Sequence, residues 1–378
     1  MPKPAPIPFN RPYQAGPELQ YISDAIREGY ASGGGPYTRR CEQLLADGLG
    51  AEQVLLTTSC THALELCALL LDIGPGEEVI VPSFTFVSTA NAFALRGARP
   101  VFADVRPDTL NLDETRLEAL ITERTRAIVV VHYAGVGCEM DAILAIADRH
   151  GVPVIEDNAH GLYAKYKDHH LGTMGLFGTQ SFHETKNFTC GEGGAVVVND
   201  PRYAERAEVV RDKGTNRARF FRGQVDKYTW VDLGSSYPPA DILAAYLFAQ
   251  LEEADHIQAT RREIWHRYLA GLGDWAHQQG VATPFVPDYC EQSFHMFYLL
   301  LPTPDARDRF IEHLAAEDIL AVFHYVPLHS SSMGQRFGPA DCPVTEDVSA
   351  RLVRLPFFTD LTEADQDRVI AAATSFRP

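Results

Sequence analysis

Short, continuously apolar runs separated by stretches of helical periodicity organise the chain from about residue 52 onward. Residues 54–57, 78–81, 100–103, 127–131 and 152–155 read as strands, and helices are predicted over 61–71, 88–95, 117–121 and 140–150. The 61–71 stretch is apolar on most faces, which predicts a buried helix. Strands without polar alternation, spaced by amphipathic helices, imply a largely parallel sheet covered on both faces. Two later strands, 178–182 and 194–198, lie closer together and allow an antiparallel edge. A charged helix follows at 204–213, then a polar, arginine-rich stretch at 214–236 without periodicity. Residues 241–269 read as one or two long helices, with Ala244, Leu247, Leu251 and Ala254 at helical spacing. Strands near 295–301 and 320–326 and helices near 307–316 and 363–373 complete a smaller α+β unit. The expected fold class is therefore α/β: a large domain at 1–255 and a small C-terminal domain at 256–378, with the boundary between Leu251 and Gly273.

Length changes this picture little: 378 residues suit two domains with a substantial core. A net charge of −17 argues against nonspecific nucleic-acid binding, which needs a basic footprint, but leaves room for anionic ligands at local basic clusters. No apolar run reaches the length of a membrane span, and Met1-Pro-Lys-Pro-Ala-Pro6 lacks a signal-peptide core. The seven cysteines are scattered and form no C-x-x-C pair, which reads as reduced thiols in a cytoplasmic protein. No H-E-x-x-H spacing occurs, and His169-His170 reads as a solvated turn, so no metal is expected.

The candidate chemistry centres on Lys186, in Ser181-Phe-His-Glu-Thr-Lys-Asn187 just ahead of the turn Gly191-Glu-Gly-Gly194. A lysine set into the interior, with few charges nearby, has its pKa lowered toward a nucleophilic amine. Asp157 ends an apolar strand, where open α/β sheets bind ligands; it suits a proton-holding carboxylate at a pyridine nitrogen, or a cap on the following turn. Ser59-Cys60-Thr61 sits at a strand-to-helix junction, as an anion cup or an ordinary N-cap, and Ser181 offers a hydroxyl to the same anion or is a plain strand serine. Phe86 suits stacking on a flat ring or core packing, and His160 suits stacking, orienting the aspartate, or a structural role. Residues 214–222 gather Arg217, Arg219 and Arg222 on an acidic chain, either as diphosphate ligands or as surface charges. The loop Ser32-Gly-Gly-Gly-Pro36 says only that the chain turns. Amine, carboxylate and anion cup, in that order, are what an enzyme needs to hold pyridoxal 5'-phosphate (PLP) through a lysine.

Longer segments carry a resemblance: residues 70–76, 82–91, 131–135, Ser181-Phe-His-Glu-Thr-Lys-Asn187, Gly223-Gln-Val-Asp-Lys-Tyr-Thr-Trp230 and Phe323-His-Tyr-Val-Pro-Leu-His329. Over nearly its whole length the chain resembles the DegT/DnrJ/EryC1/StrS family of sugar-nucleotide aminotransferases, within the fold-type I PLP enzymes. The resemblance implies a mostly parallel sheet sandwiched by helices and a homodimer with its sites at the subunit interface. It implies Lys186 as covalent anchor and acid/base, Asp157 as partner of the ring nitrogen, Phe86 and His160 at the ring, and Cys60, Thr61 and Ser181 at the phosphate. Ser236 falls where relatives place a residue that reaches the neighbouring subunit's phosphate, and Arg217, Arg222, Tyr325 and His329 are the implied substrate contacts. The activity implied is amino transfer from L-glutamate to the C4 keto group of TDP-4-keto-6-deoxy-D-glucose, giving TDP-4-amino-4,6-dideoxy-D-galactose and 2-oxoglutarate. Another keto-sugar (3-keto or UDP-linked) or a gluco product is the alternative; a non-catalytic regulatory protein is remoter. Sugar dehydration is disfavoured because such relatives replace the lysine by histidine. Departures from the family pattern are Cys60 in place of glycine, Asn158 in place of alanine or serine, and Pro238-Pro239 in place of Arg-Met.

Overall fold

Seven strands form the central sheet, in the order Gln53–Thr57, Gly194–Val198, Phe177–Ser181, Val154–Asp157, Thr125–Val131, Glu78–Pro82, Arg99–Ala103. The computed structural model describes residues 5–378; residues 1–4, where the proline-rich start begins, lie outside the described residues. Gly194–Val198 alone runs against its neighbours, and the remaining pairings are parallel. The reversed strand is thus second from the edge rather than at it. The turn after Lys186 sends the chain straight back along Phe177–Ser181, and Gln53–Thr57 then pairs on the outer side.

Glu78–Pro82 and Gly194–Val198 are buried at every position, so neither face selects polar residues, and the strands read as unbroken apolar runs. Alternate side chains feed opposite layers. Val79 and Val81 pack with Leu64 and Phe93, whereas Ile80 packs with Met140 and Ile143. The helix Cys60–Leu70 is buried on most faces, as its composition predicts, and the Ser59 hydroxyl caps it by accepting from the His62 amide at 3.1 Å.

Among the helices that went unread in the sequence are Glu18–Arg27 and Pro36–Leu49. The second starts at the proline of the supposed loop: Pro36 occupies the first helical turn, where its missing N–H costs nothing, and Gly50 closes the helix in the left-handed conformation. His169–His170 is a short strand paired with Lys165–Tyr166, not a free turn. The 241–269 stretch becomes two helices, Asp241–Glu252 and the longer Ala254–Gln279. Ile257 of the latter joins the core of Leu247 and Leu251, whereas Ile264, Trp265, Tyr268 and Leu272 join a separate C-terminal core with Phe297, Phe310 and Val369. That core packs on a small sheet in which Leu352–Arg354 lies between Tyr298–Leu300 and Val322–Phe323. The central strand escaped the pattern because it is three residues long and follows directly on the helix Pro343–Arg351. No helix among the described residues is long and apolar enough to cross a membrane.

The parallel strands end on one rim, at Thr57, Pro82, Ala103, Val131, Asp157 and Ser181. Gly194 opens the reversed strand at the same rim, opposite both Thr57 and Ser181. A Cβ at Gly194 would collide with the backbone of Ser59 and Cys60, so only glycine lets the strand and the helix start approach this closely.

Candidate active site

A cavity of about 520 Å3 opens on this rim, within the roughly 300–1,000 Å3 range of small-molecule sites. It is lined by Cys60, Thr61, Phe86, Asp157, His160, Ser181, Lys186 and Tyr325 together with Ser59, Thr89, His295, His324 and Arg354. Eight sequence-predicted residues therefore converge on one space. A second cavity of about 420 Å3, between residues 99–104 and 337–341, contains no lysine.

Strand geometry explains why one of two adjacent acids faces the cavity. Glu156 and Asp157 are consecutive, so their side chains point to opposite faces. Glu156 is buried against His132 at 2.8 Å and accepts from the amides of Gly172, Met174 and Gly175, a purely structural role. Asp157 faces the cavity. Its Oδ2 accepts from the Thr89 hydroxyl at 2.7 Å, and its Oδ1 from the Ala159 amide at 3.2 Å. Thr89 is steadied in turn by the Thr85 hydroxyl at 2.8 Å. Orientation of the aspartate thus falls to Thr89 and a backbone amide rather than to His160. Burial raises the Asp157 pKa, against the opposing effects of these two donors and the nearby Lys186 charge.

Lys186 sits between anchored neighbours. Phe182 donates its amide to Gly193 and Glu184 to Gly191, while the Asn187 side chain donates to the Ser293 carbonyl at 2.7 Å. Burial pulls the Lys186 pKa down to about 8, and the Arg354 charge pushes the same way. A depressed lysine binds fewer protons folded than unfolded, so its cost to stability is full below pH 8 and fades as pH rises toward 10.5. Cofactor-free Lys186→Met is accordingly expected to be more stable than cofactor-free wild type at pH 7, by roughly 3 kcal/mol. Melting curves across pH 6–10 check this, and the gap should close toward the alkaline end.

Phe86 is 58% exposed at the cavity mouth, which removes the core-packing alternative. His160 stacks on His295 with centroids 4.3 Å apart, and its buried Nδ1 has no partner among the described residues. Burial holds His160, His295 and His324 well below the usual histidine range, so all three are neutral near pH 7. Thr61 shares a 2.8 Å hydrogen bond with Ser88. The Cys60 thiol lies 3.5 Å from the Thr179 hydroxyl and 3.9 Å from Asp157; burial and that carboxylate push its pKa up, so it stays a thiol.

Four predicted residues lie off the cavity lining. His329 is buried, with its Nδ1 2.7 Å from the Ser83 hydroxyl and its Nε2 3.1 Å from Glu346. Arg222 forms a two-pronged pair with Glu208 at 2.8 and 3.0 Å, and Arg217 reaches Asp212 only at 4.0 Å. Ser236 is exposed, in a backbone bridge with Asp212. Sequence reasoning missed Thr89, His295, His324 and Arg354. Thr89 and His324 fall inside segments 82–91 and 323–329, which carry the resemblance, but nothing in the pattern marked His295 or Arg354. Among the described residues, no group of three or more His, Cys, Asp or Glu side chains is placed to hold a metal.

The residues present fit PLP. A depressed lysine and an oriented aspartate share one cavity, an exposed aromatic ring stands at its mouth, and hydroxyls gather at a helix N-terminus.

Comparison with known proteins agrees. Residues 12–374 match the sequence model of the DegT/DnrJ/EryC1/StrS aminotransferase family. The chain is 36% identical to the spore coat polysaccharide biosynthesis protein SpsC of Bacillus subtilis, covering 97% of this chain and 96% of SpsC. Its fold matches the aminotransferase TlmJ of Streptoalloteichus hindustanus with a TM-score of 0.90 at 31% identity, over 98% of both chains. It also matches the PLP form of the putative sugar aminotransferase Spr1654 of Streptococcus pneumoniae with a TM-score of 0.91 at 25% identity, again over 98% of both. The chain belongs to the DegT/DnrJ/EryC1/StrS family and is a PLP-dependent sugar aminotransferase.

Proposed function

We propose that the enzyme moves the amino group of L-glutamate to C4 of TDP-4-keto-6-deoxy-D-glucose, giving TDP-4-amino-4,6-dideoxy-D-galactose and 2-oxoglutarate. The observation that carries amino transfer is the meeting of Lys186 and Asp157 in one cavity. The choice of sugar is supported by the segments at 181–187, 223–230 and 323–329, and the SpsC likeness is in keeping with a product destined for polysaccharide.

When bound, PLP supplies an electron sink that makes the proton on the donor's α-carbon removable. In this reading Lys186 Nζ is the covalent anchor and then the base that takes that proton and returns it elsewhere, and its burial favours the neutral amine that such a base must be. Asp157 holds a proton at the ring nitrogen, with Thr89 and the Ala159 amide fixing its two oxygens. Thr61, Ser181 and the helix start at Cys60 bind the phosphate, Phe86 covers one ring face and His160 lies beside the ring. Tyr325 contacts the sugar from the cavity wall. His329 serves the substrate at one remove, by holding residue 83 and the segment that carries Tyr325.

Ser236, Arg217 and Arg222 belong to a stretch that does not line the chain's own cavity but exposes Phe221, Trp230 and Leu233. We assign that stretch to a homodimer interface, where Ser236 reaches the phosphate and the arginines reach the sugar-nucleotide diphosphate of the second subunit. The chain is read as two domains, 1–255 and 256–378, and as cytoplasmic. Arg217→Ala or Arg222→Ala is expected to raise KM for the nucleotide sugar about tenfold while leaving that for glutamate alone. The larger effect belongs to Arg217, since Arg222 is already neutralised by Glu208. Unchanged KM in both variants defeats the assignment. Incubation with glutamate and TDP-4-keto-6-deoxyglucose, followed by NMR of the product, tests the function itself. A 4-amino galacto product is expected; a 3-amino or gluco product, or none, rejects the substrate or product named here.

A further inference from the structure

We propose that His295 is a positioning residue for Lys186, acting through a hydrogen bond to Asn187. This rests on the reading of Lys186 as the amine that anchors the cofactor. Asn187 follows Lys186 in the chain, is buried, and directs its side chain wholly at the C-terminal part of the chain. Its Nδ2 donates to the Ser293 carbonyl at 2.7 Å and to Gln258 Oε1 at 3.1 Å, and its Oδ1 lies 2.9 Å from His295 Nδ1. A carbonyl can only accept, so Ser293 fixes which end of the amide is NH2. Oδ1 therefore faces His295, and the ring must carry its proton on Nδ1 to donate there. Burial holds His295 well below the usual histidine range, so the ring is neutral and this N–H is its single donor.

Residues 293–295 are themselves firmly held. Arg261, on the helix Ala254–Gln279, donates through Nε to the Phe294 carbonyl at 3.0 Å and through Nη2 to the His295 carbonyl at 2.7 Å. The Ser293 amide donates to the Gly135 carbonyl at 3.2 Å, and its hydroxyl donates to the His160 carbonyl. A Cβ at Gly135 would collide with Ser293 Oγ and with the His160 carbonyl, so only glycine allows this approach. The His295 ring stacks on that of His160, 18° from parallel. One short segment thus places two groups of the cavity at once: His160 directly, and Lys186 through Asn187. The amides of Phe182 and Glu184 bind within the turn, to Gly193 and Gly191, and fix its shape but not its distance from the facing wall. Another contact from outside the turn, Asn10 to the Glu184 carbonyl at 3.1 Å, is open to competing water. A lysine stem is long and flexible, so where Nζ falls depends on where the backbone beneath it is held. Misplacing a reacting group by about 1 Å costs roughly a hundredfold in rate.

The test compares wild type, His295→Phe and His295→Asn, each well below its melting temperature. Three readouts are taken: the single-turnover rate of the holoenzyme with L-glutamate, the visible circular dichroism of the bound cofactor, and the rate at which cofactor-free protein takes up PLP. Phenylalanine keeps a ring against His160 but has no N–H, whereas the amide nitrogen of asparagine can stand where Nδ1 stood. His295→Phe is expected to lose roughly a hundredfold in single-turnover rate and about tenfold in PLP uptake, with weakened visible dichroism. His295→Asn should recover at least about tenfold of the turnover loss, and the apparent glutamate constant should move less than about threefold in both variants. A wild-type rate and dichroism in His295→Phe, or a His295→Asn no faster than His295→Phe, overturns the proposal. Should His295→Phe fail to fold, Asn187→Ser decides: its hydroxyl is too short to reach His295, so a loss of roughly a hundredfold is expected, and a wild-type rate refutes the assignment. Cofactor attached to another lysine of the wild type would end the reading of Lys186, whereas unchanged variants of an enzyme loaded at Lys186 end this assignment alone.

Discussion

Lys186→Ala is expected to lower amino transfer by at least roughly 10^4-fold while leaving the fold intact. General acid–base work by a positioned side chain alone contributes about 10^2–10^4-fold, and this lysine also provides the covalent attachment. Its neighbours explain why the loss should be chemical rather than structural. Phe182, Glu184 and Asn187 anchor the turn through their own hydrogen bonds, and the Lys186 side chain takes no part in them. Removing a buried amine with a depressed pKa relieves a cost instead of creating one. Single-turnover rates with glutamate, alongside a melting curve, separate the two kinds of loss. Lys186→Arg should not rescue, because a guanidinium stays protonated and is a poor nucleophile near neutral pH.

Asp157→Asn is expected to cost roughly 10^2–10^3-fold in turnover, the scale of one preorganised electrostatic contact at a reacting group. The amide keeps the size of the carboxylate but removes the charge that stabilises a proton on the ring nitrogen. It also inverts one hydrogen bond: whichever terminal atom becomes NH2 can no longer accept from Thr89 or from the Ala159 amide. The effect should therefore appear in turnover with both substrates, since the ring nitrogen serves both halves of the reaction. Near-normal turnover in Asp157→Asn would remove the electrostatic role assigned to this residue. Glu156→Gln offers the contrast. Glu156 accepts from three backbone amides and contacts His132 on the opposite face of the same strand, so its loss should lower the melting temperature without a comparable effect on chemistry in the surviving fold.

The sequence made the central sheet legible because burial on both faces leaves a continuous apolar record, as in Glu78–Pro82. It made Asp157, Thr61 and Ser181 legible because each stands at a strand end or helix start, where position carries chemical meaning, and Lys186 because it lies in the turn just past the strand Phe177–Ser181. The helix Pro36–Leu49 was hidden by a glycine run that marked its entrance as loop. Phe86 was ambiguous between core and cofactor until its exposure at the cavity mouth separated the two. Arg354 and His295 were not legible at all. They come from residues far along the chain, on or beside a sheet of very short strands, and join the cavity only through tertiary packing. The arginine-rich stretch shows a different gap: its positive charge was plain in the sequence, but its pairing with Glu205, Glu208 and Asp212 was not.

The most direct measurement is borohydride reduction of the purified, PLP-loaded protein, followed by digestion and mass spectrometry of the peptide spanning residues 183–190. The protein should be yellow before reduction, and the pyridoxyl mass should sit on Lys186 and be absent from reduced Lys186→Ala. A label fixed to another lysine, or a reducible bond that survives in Lys186→Ala, would contradict the account.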